Sequence, residues 1–216
     1  VINTEPHTDH AAGNCWFEAV VVAHEGTRQA LLKAGETELI EMLKWMAPGS
    51  LPLDTSFHYV YPGITFSQDL TLYLGDHALR LINLPGHTPC ELAVYVPEKK
   101  VVFTGDNMNL AFPIFVQSQP YAWLDSLKRI QELDVDTVVP GHGEVCRKED
   151  VARMIEAIEY WIQSIQSAID KGMDLDQTLK NVTMAERYPG LAEDPQAGRM
   201  MRMSQSNLYR ILAREK

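Results

Sequence analysis

The chain of 216 residues lacks the features that would place it in a membrane or on a nucleic acid. None of its apolar runs approaches the roughly 18 residues from which a spanning helix is predicted. No basic segment followed by an apolar stretch marks a secretory signal. Lys and Arg total 19 against 29 Asp and Glu, and they are scattered, so the net charge of -10 offers no basic surface for phosphates. We therefore expect neither a membrane nor a nucleic acid as a partner.

Cysteine is scarce as well. The chain has three, Cys15, Cys90 and Cys146, and their wide spacing fits neither a disulfide framework nor a zinc ribbon. We interpret them as structural or incidental thiols, in a chain that favours a reducing compartment such as the cytoplasm. Repeats, low-complexity tracts and linkers are also missing, and the length suits one sizeable core rather than two. The sequence thus predicts a single domain over residues 1–216.

Apolar runs of two kinds alternate along the chain. Short runs rich in Val, Ile, Leu and Tyr predict strands at 19–23, 70–74, 79–84, 92–96, 101–104 and 137–139. Longer stretches with a helical period predict helices over 27–46, interrupted at Gly35, and over 121–133, 149–171 and 197–214. Residues 1–4 are expected to be the end of a further buried strand. This mixture indicates a layered α/β fold.

Four short motifs with metal-ligating side chains each follow an apolar run. They are Glu-Pro-His-Thr-Asp-His at 5–10, Gly-His-Thr at 86–88, Thr-Gly-Asp at 104–106 and Pro-Gly-His-Gly at 140–143. In an extended segment alternate residues share a face, so Glu5 and His7 can converge on one ion. Asp9 and His10 are adjacent and must diverge, which suits them to a second ion. The pattern predicts a metal site at strand ends, where ligands are held rigidly. Three other histidines lack this context and are assigned to the surface or to supporting positions: His24, His58 and His77.

In this order, the four motifs resemble the signature of the metallo-β-lactamase superfamily of hydrolases, which is His-x-His-x-Asp-His, Gly-His-Thr, Thr-Gly-Asp and Pro-Gly-His-Gly. The resemblance covers residues 1–145 and is closest to the glyoxalase II and lactonase branch, because Asp106 stands where those members bridge their metals. It implies an αββα sandwich with the metals at one edge of its two sheets. It also implies two divalent ions, with zinc favoured over manganese or iron. The implied ligands are Glu5, His7 and His87 for the first ion, Asp9, His10 and His142 for the second, and Asp106 for both.

The chain departs from that signature at its first position, where Glu5 replaces the usual histidine. A carboxylate can still ligate zinc, manganese or iron, but it adds a negative charge to the centre. We hypothesise that the Glu5 site is a weaker Lewis acid, prefers harder metals, or is emptier than the second site.

A second departure concerns the segment before the first motif. Superfamily members usually carry several strands and a helix there, whereas this sequence begins at the strand that enters the motif. A sheet without those strands would expose unpaired edges. We therefore expect a sandwich that is incomplete at its N-terminus, either because the chain is a fragment or because a partner chain or a second copy completes the sheet.

The resemblance implies a reaction on a small molecule. A metal-bound hydroxide would hydrolyse an ester, thioester, lactone or amide. Asp9 would orient that hydroxide and pass its proton to the leaving group. Two alternatives stay open: a di-iron protein that reduces oxygen or nitric oxide, and a binding protein of the same fold without turnover.

Two loops are predicted to wall the substrate pocket, one at 47–63 and the other at 107–121. Loops at a rigid edge often carry specificity, and the aromatic side chains of these two favour a partly apolar substrate, unless they merely close the core. The aromatic residues concerned are Phe57, Tyr59, Tyr61, Phe112 and Phe115.

Overall fold

The computed structural model describes residues 1–47, 49, 51–184, 187, 188 and 194–214. Its strands are β1 (Val22–His24), β2 (Ile64–Phe66), β3 (Leu70–Leu74), β4 (His77–Asn83), β5 (Leu92–Val96), β6 (Val101–Phe103) and β7 (Thr137–Val139). Its helices are α1 (Thr8–Ala11), α2 (Glu25–Met46), α3 (Pro120–Glu132), α4 (Lys148–Asp170), α5 (Leu175–Asn181) and α6 (Pro195–Arg214).

Five strands form the larger sheet, in the order β3-β4-β5-β6-β7. Neighbouring strands are antiparallel except β6 and β7, which are parallel because α3 carries the chain back across the sheet. Gly75, at φ 57°, supplies the left-handed conformation of the short β3–β4 connection. Strands β4, β6 and β7 therefore run in one direction, and their carboxyl ends lie at the same edge of the sheet.

Apolar layers cover both faces of the larger sheet. Strand β5 is buried along its whole length, as expected of a strand that is covered on both sides. Helices α3, α4 and α6 pack on one face through side chains spaced at the helical period. The largest of these buried side chains are Trp123, Leu127, Ile130, Ile158, Trp161 and Leu208.

The opposite face of the larger sheet packs against a smaller one. There β1 and β2 pair in parallel, and Val22 of β1 contacts the cluster formed by Leu81, Leu92 and Val94. Helix α2 lies on β1 and β2, buries Leu31 and is kinked at Gly35 (φ 62°), as its sequence predicts. The order of layers is helix, sheet, sheet, helix, which confirms the predicted αββα sandwich. None of the described helices is long and apolar enough to cross a lipid bilayer.

Several sequence-based boundaries are wrong. The strand predicted at 19–23 lies at Val22–His24, since pairing with β2 begins at Val22 and Val20 is exposed. Residues 1–4 form a single bridge, from Ile2 to Val22, rather than a strand. The prediction also missed α1, α5 and β2, because elements of three to seven residues are too short to show a period. Positions 48 and 50 of the predicted pocket loop lie outside the described residues.

Candidate metal centre

The four motifs meet at one edge of the larger sheet. Gly-His-Thr, Thr-Gly-Asp and Pro-Gly-His-Gly follow β4, β6 and β7, whose carboxyl ends share that edge. Backbone hydrogen bonds join them: the Gly141 N–H donates to the Gly105 carbonyl at 2.8 Å, and the Leu110 N–H donates to the His142 carbonyl at 3.1 Å. The first motif is tied to the same edge by the Leu92 N–H, which donates to the Thr4 carbonyl at 2.9 Å.

Glu5, His7 and His87 form the first group of donor atoms. The Glu5 Oε2 atom lies 2.9 Å from His7 Nδ1, and His7 Nδ1 lies 3.1 Å from His87 Nε2. Glu5 is fully buried and His87 nearly so. One ligand atom from each of the three lies within 4.8 Å of the others, a spacing that a single metal ion can bridge.

Asp9, His10 and His142 form a second, more open group. The Asp9 Oδ2 atom lies 3.1 Å from His142 Nε2 and 3.6 Å from His10 Nε2. The side chain of His142 is 46% exposed, so this group faces the solvent-accessible side of the centre. Asp9 and His10 reach it from the helical turn α1, whereas the extended backbone assumed for this motif ends at His7.

Asp106 lies between the two groups. Its Oδ1 atom is 3.3 Å from His10 Nε2 and 3.5 Å from His142 Nε2, and its Oδ2 atom is 3.6 Å from His87 Nε2. Glu5 is also shared, because its Oε1 atom lies 3.3 Å from His10 Nε2. All seven predicted side chains are therefore brought together, and Glu5 is placed more centrally than the sequence indicated.

Three buried polar atoms point into this space without a hydrogen-bond partner among the described residues. They are Oε1 of Glu5, Nε2 of His10 and Oδ1 of Asp106, which also form a third group within 4.8 Å. Their contacts within the cluster are charge contacts of 3.3 Å or longer, so three such atoms at one point favour a ligand that satisfies them. A divalent cation suits a donor set of imidazole nitrogens and carboxylate oxygens, and the residues present fit such an ion.

The electrostatics of the centre reflect its concentrated negative charge. Burial opposes protonation of His10, but contact with Asp106 and the charges of Glu5 and Asp9 outweigh it and raise the His10 pKa to about 9. Burial works against ionisation of Asp9, yet His142 and His10 lower the Asp9 pKa to about 2. For His87 burial dominates, so its pKa is lowered and it stays neutral, which is the form that binds a metal.

A supporting shell fixes the orientation of His87. Its Nδ1 atom lies 2.8 Å from the Ile114 carbonyl, and a proton held there leaves Nε2 free to ligate. The backbone N–H of His87 donates to Asn107 Oδ1 at 3.0 Å, while Asn107 Nδ2 donates to the Leu84 carbonyl at 2.7 Å. The indole of Trp123 donates to the Asn107 carbonyl at 3.0 Å. The sequence analysis did not identify Asn107 as a supporting residue, because its position next to Asp106 is the one feature that could have indicated this role.

At two positions of the motifs a side chain would not fit, because neighbouring atoms approach the glycine Cα closely. A Cβ on Gly141 would overlap Oδ1 of Asp106 and come within 2.8 Å of the Gly105 backbone. Gly105 itself has φ 54°, and a Cβ there would overlap Oε1 of Glu91. Glu91 is a second buried polar residue that the sequence reasoning missed, although a carboxylate within the apolar run after Gly-His-Thr was a signal.

The other predicted positions have different roles. The Nδ1 atom of His24 accepts from the Gly26 N–H at 3.0 Å and caps α2. Phe115 is fully buried against Trp161, at 5.6 Å between ring centroids, so its part of the predicted pocket wall is core. Phe112 stacks on Trp161 but also lines a cavity of about 470 Å³ next to the centre.

Comparison with known proteins identifies the family. The sequence model of the Metallo-beta-lactamase superfamily matches residues 1–142. The chain belongs to this superfamily. The resemblance and the fold that the four motifs imply are thus confirmed. Superfamily members bind metal ions, and the residues that the motifs supply are those gathered at the sheet edge.

Individual relatives are hydrolases by name. Human acyl-coenzyme A thioesterase MBLAC2 is 24% identical over 167 residues, which cover 71% of this chain and 59% of the relative. Hydroxyacylglutathione hydrolase of Bartonella quintana (strain Toulouse) is 31% identical over 72 residues, covering 33% of this chain and 28% of the relative. The sec-alkylsulfatase Pisa1 of Pseudomonas sp. superposes with a TM-score of 0.73 at 14% identity, over 98% of this chain and 40% of Pisa1, and shares the fold. The chain spans about three fifths of the length of MBLAC2.

Proposed function

We propose that this protein is a metal-dependent hydrolase of small molecules and that its substrate is an ester, thioester, lactone or amide, with a thioester as the first choice. The observation that carries the proposal is the convergence of three buried ligand atoms without hydrogen-bond partners among the described residues, from Glu5, His10 and Asp106, where the two groups of ligands meet. The names of MBLAC2, a thioesterase, and of the hydroxyacylglutathione hydrolase support the choice of reaction.

The proposed centre takes two divalent ions. Glu5, His7 and His87 would hold the first and Asp9, His10 and His142 the second. Asp106 would contact both, a role supported by its distances of 3.3 Å to His10 Nε2 and 3.6 Å to His87 Nε2. Zinc is the expected metal, and manganese or iron are the alternatives because Glu5 adds a hard oxygen donor. Divalent ions bound here would supply Lewis acidity, which lowers the pKa of water and polarises a carbonyl group.

Asp9 is the residue that we assign to the chemistry itself. Its side chain lies on the open side of the centre and is 35% exposed. Because its pKa is held at about 2, it stays ionised at neutral pH and can accept a hydrogen bond from the attacking water. This orients a lone pair of the water towards the carbonyl carbon. The same carboxylate can relay the water's proton to the leaving group.

The substrate's apolar part is proposed to occupy the cavity of about 470 Å³ beside the centre. Leu110 lines that cavity, and its N–H donates to the carbonyl of His142, so cavity and centre share a wall. The remaining lining is mixed: Phe112, Pro113 and Met154 are apolar, whereas four charged side chains also border the cavity, Asp150, Arg153, Glu156 and Arg187. A space of this size and mixed lining suits an acyl chain that carries a polar end group.

Elemental analysis of protein purified without chelators tests the metal assignment. About two zinc or manganese ions per chain are expected. Two iron ions with visible absorption would favour the di-iron redox alternative, and one ion or fewer without turnover would favour a binding protein.

A screen of acyl thioesters, esters and lactones tests the reaction. Asp9→Asn should reduce the rate by about 100-fold or more, and His142→Ala should reduce both the rate and the metal content. The matched control is His77→Ala, which removes an imidazole at the start of β4, the end of that strand opposite the motifs, and should change neither. Hydrolysis that survives complete metal removal would overturn the proposal.

A further inference from the structure

Glu91 is a buried carboxylate behind the ligand cluster, and both of its oxygen atoms are engaged. Its Oε1 atom accepts a hydrogen bond from the backbone N–H of Asp106 at 2.9 Å. Its Oε2 atom accepts one from the hydroxyl of Thr88 at 2.9 Å. Glu91 and Thr88 are both fully buried. One side chain therefore links the turn that carries His87 to the turn that carries Asp106.

The backbone around Glu91 joins the first motif to the same point. The Leu84 N–H donates to the Glu91 carbonyl at 2.9 Å, which closes the loop that holds His87. The next residue, Leu92, donates its N–H to the carbonyl of Thr4, directly before Glu5, at 2.9 Å. Segments bearing Glu5, His87 and Asp106 thus converge on Glu91, although they are far apart in the sequence.

Gly105 makes room for this arrangement. It adopts φ 54°, and any Cβ on it would overlap the Oε1 atom of Glu91. The Thr-Gly-Asp turn is therefore shaped around the Glu91 carboxylate, whose oxygen occupies the space that a side chain at position 105 would need. Glu91 is not among the groups of donor atoms that could hold an ion in the part of the chain that the structure describes.

We propose that Glu91 is a positioning residue that sets the distance between the His87 and Asp106 turns and thereby the affinity of the centre for divalent metal. The inference rests on the proposed metal-dependent function. Metal ligands must be held within about 0.5 Å of their productive positions, and their supporting hydrogen bonds typically contribute 10–100-fold to metal affinity. Truncating Glu91 would leave the Asp106 N–H and the Thr88 hydroxyl without these partners and free the two turns to separate.

The test compares Glu91→Ala with Glu91→Gln in the full chain, with the dissociation constant of Zn²⁺ measured by chelator competition. The Glu91→Gln variant would keep an acceptor for the Asp106 N–H and a polar group for Thr88, so we expect its affinity to stay within about threefold of the original. Glu91→Ala should lose about tenfold or more. The visible spectrum of the Co²⁺-loaded protein should change in Glu91→Ala and be retained in Glu91→Gln. These readouts do not depend on hydrolysis.

Two further variants control for folding. Gln205→Ala removes a buried hydrogen bond to the Val182 carbonyl in the helical layer, and it should lower the melting temperature without changing metal affinity. If Glu91→Ala does not fold, Thr88→Val takes its place, because it removes only one of the two hydrogen bonds and should weaken Zn²⁺ binding by about three- to tenfold.

Three results would overturn the inference. The folded Ala or Val variant could bind Zn²⁺ within threefold of the original chain. Glu91→Gln could lose as much affinity as Glu91→Ala, which would assign the effect to charge rather than position. If the unaltered chain binds no metal, the proposed function fails together with the inference, whereas tight binding that the variants leave unchanged overturns the inference alone.

Discussion

The Nε2 atom of His10 lies 3.3 Å from the Oδ1 atom of Asp106, and neither atom has a hydrogen-bond partner among the described residues. Glu5 Oε1 lies at the same distance from His10 Nε2. A protonated imidazole partly balances the two carboxylates when no cation is present. A divalent ion at this point would replace that proton, so metal binding and protonation of His10 compete for one space.

The first prediction concerns the pH dependence of the metal-free protein. Because the folded pKa of His10 is raised to about 9, its stabilising contribution is complete below the ordinary value of 6.5 and is lost as the pH rises through 9. The pKa values of His7 and His142 are raised as well, because contacts with nearby carboxylates outweigh the effect of burial. Loss of these protons at high pH therefore also destabilises the metal-free protein. The melting temperature of chelator-treated protein should therefore fall between pH 6.5 and 9.

The same competition predicts the opposite trend for metal binding. Affinity for Zn²⁺ should increase with pH up to about 9, and calorimetry in buffers of different ionisation enthalpy should detect proton release. His10→Ala serves as the control, since it should flatten both profiles in part. Profiles that are flat in the unaltered chain would contradict the assignment of a proton to His10.

The second prediction concerns Gly141 in the Pro-Gly-His-Gly motif. In Gly141→Ala the new Cβ would overlap Oδ1 of Asp106 and crowd the Gly105 backbone, so Asp106 must move. We expect a loss of about 1–3 kcal/mol in the free energy of unfolding and a lower metal content. Gly198→Ala in α6 is the matched control, because a Cβ there meets nothing within 4 Å and should stabilise the helix slightly. Denaturant titration of both variants measures the free energy of unfolding, and elemental analysis measures the metal content.

The convergence of the motifs could be predicted from the sequence in part. Each motif follows an apolar run, which predicts ligands at strand ends, and the resemblance implies that they meet at one edge. The structure supplies the reason, because β4, β6 and β7 run in one direction and so bring His87, Asp106 and His142 close together. The gathering of all seven side chains agrees with the ligand set that the resemblance implied. Their metal binding is still a prediction.

Contacts between distant segments could not be predicted in the same way. Phe115 and Trp161 are 46 residues apart, and only the packing of α4 on the larger sheet decides that Phe115 belongs to the core and not to a pocket wall. The link from Glu91 to Asp106 likewise depends on the register of β5 and β6. Short elements such as β2 derive their stability from tertiary pairing, so their own sequence carries little signal.

The third prediction tests the carboxylate at position 5. Glu5 is fully buried, contacts His7 Nδ1 at 2.9 Å and brings one more negative charge than a histidine would. Glu5→His should therefore increase the preference of the centre for zinc over manganese or iron, since an imidazole is a softer donor than a carboxylate. Competition between Zn²⁺ and Mn²⁺, followed by elemental analysis, measures this shift. Unchanged metal identity, occupancy and rate would refute the hypothesis that Glu5 tunes the first site.

The last prediction concerns removal of the metal. An ion that binds only the folded chain stabilises it by about 2.7 kcal/mol at a concentration 100 times its dissociation constant. For a chain of this size, chelation should lower the melting temperature by about 5–10 °C. The effect should be smaller in His142→Ala, which has lost one donor of the open group, and unchanged in His77→Ala, whose imidazole lies outside the centre. If chelation lowered the melting temperature of His142→Ala as much as that of the unaltered chain, the second group of ligands would hold no ion. The proposed centre would then consist of the site formed by Glu5, His7 and His87 alone.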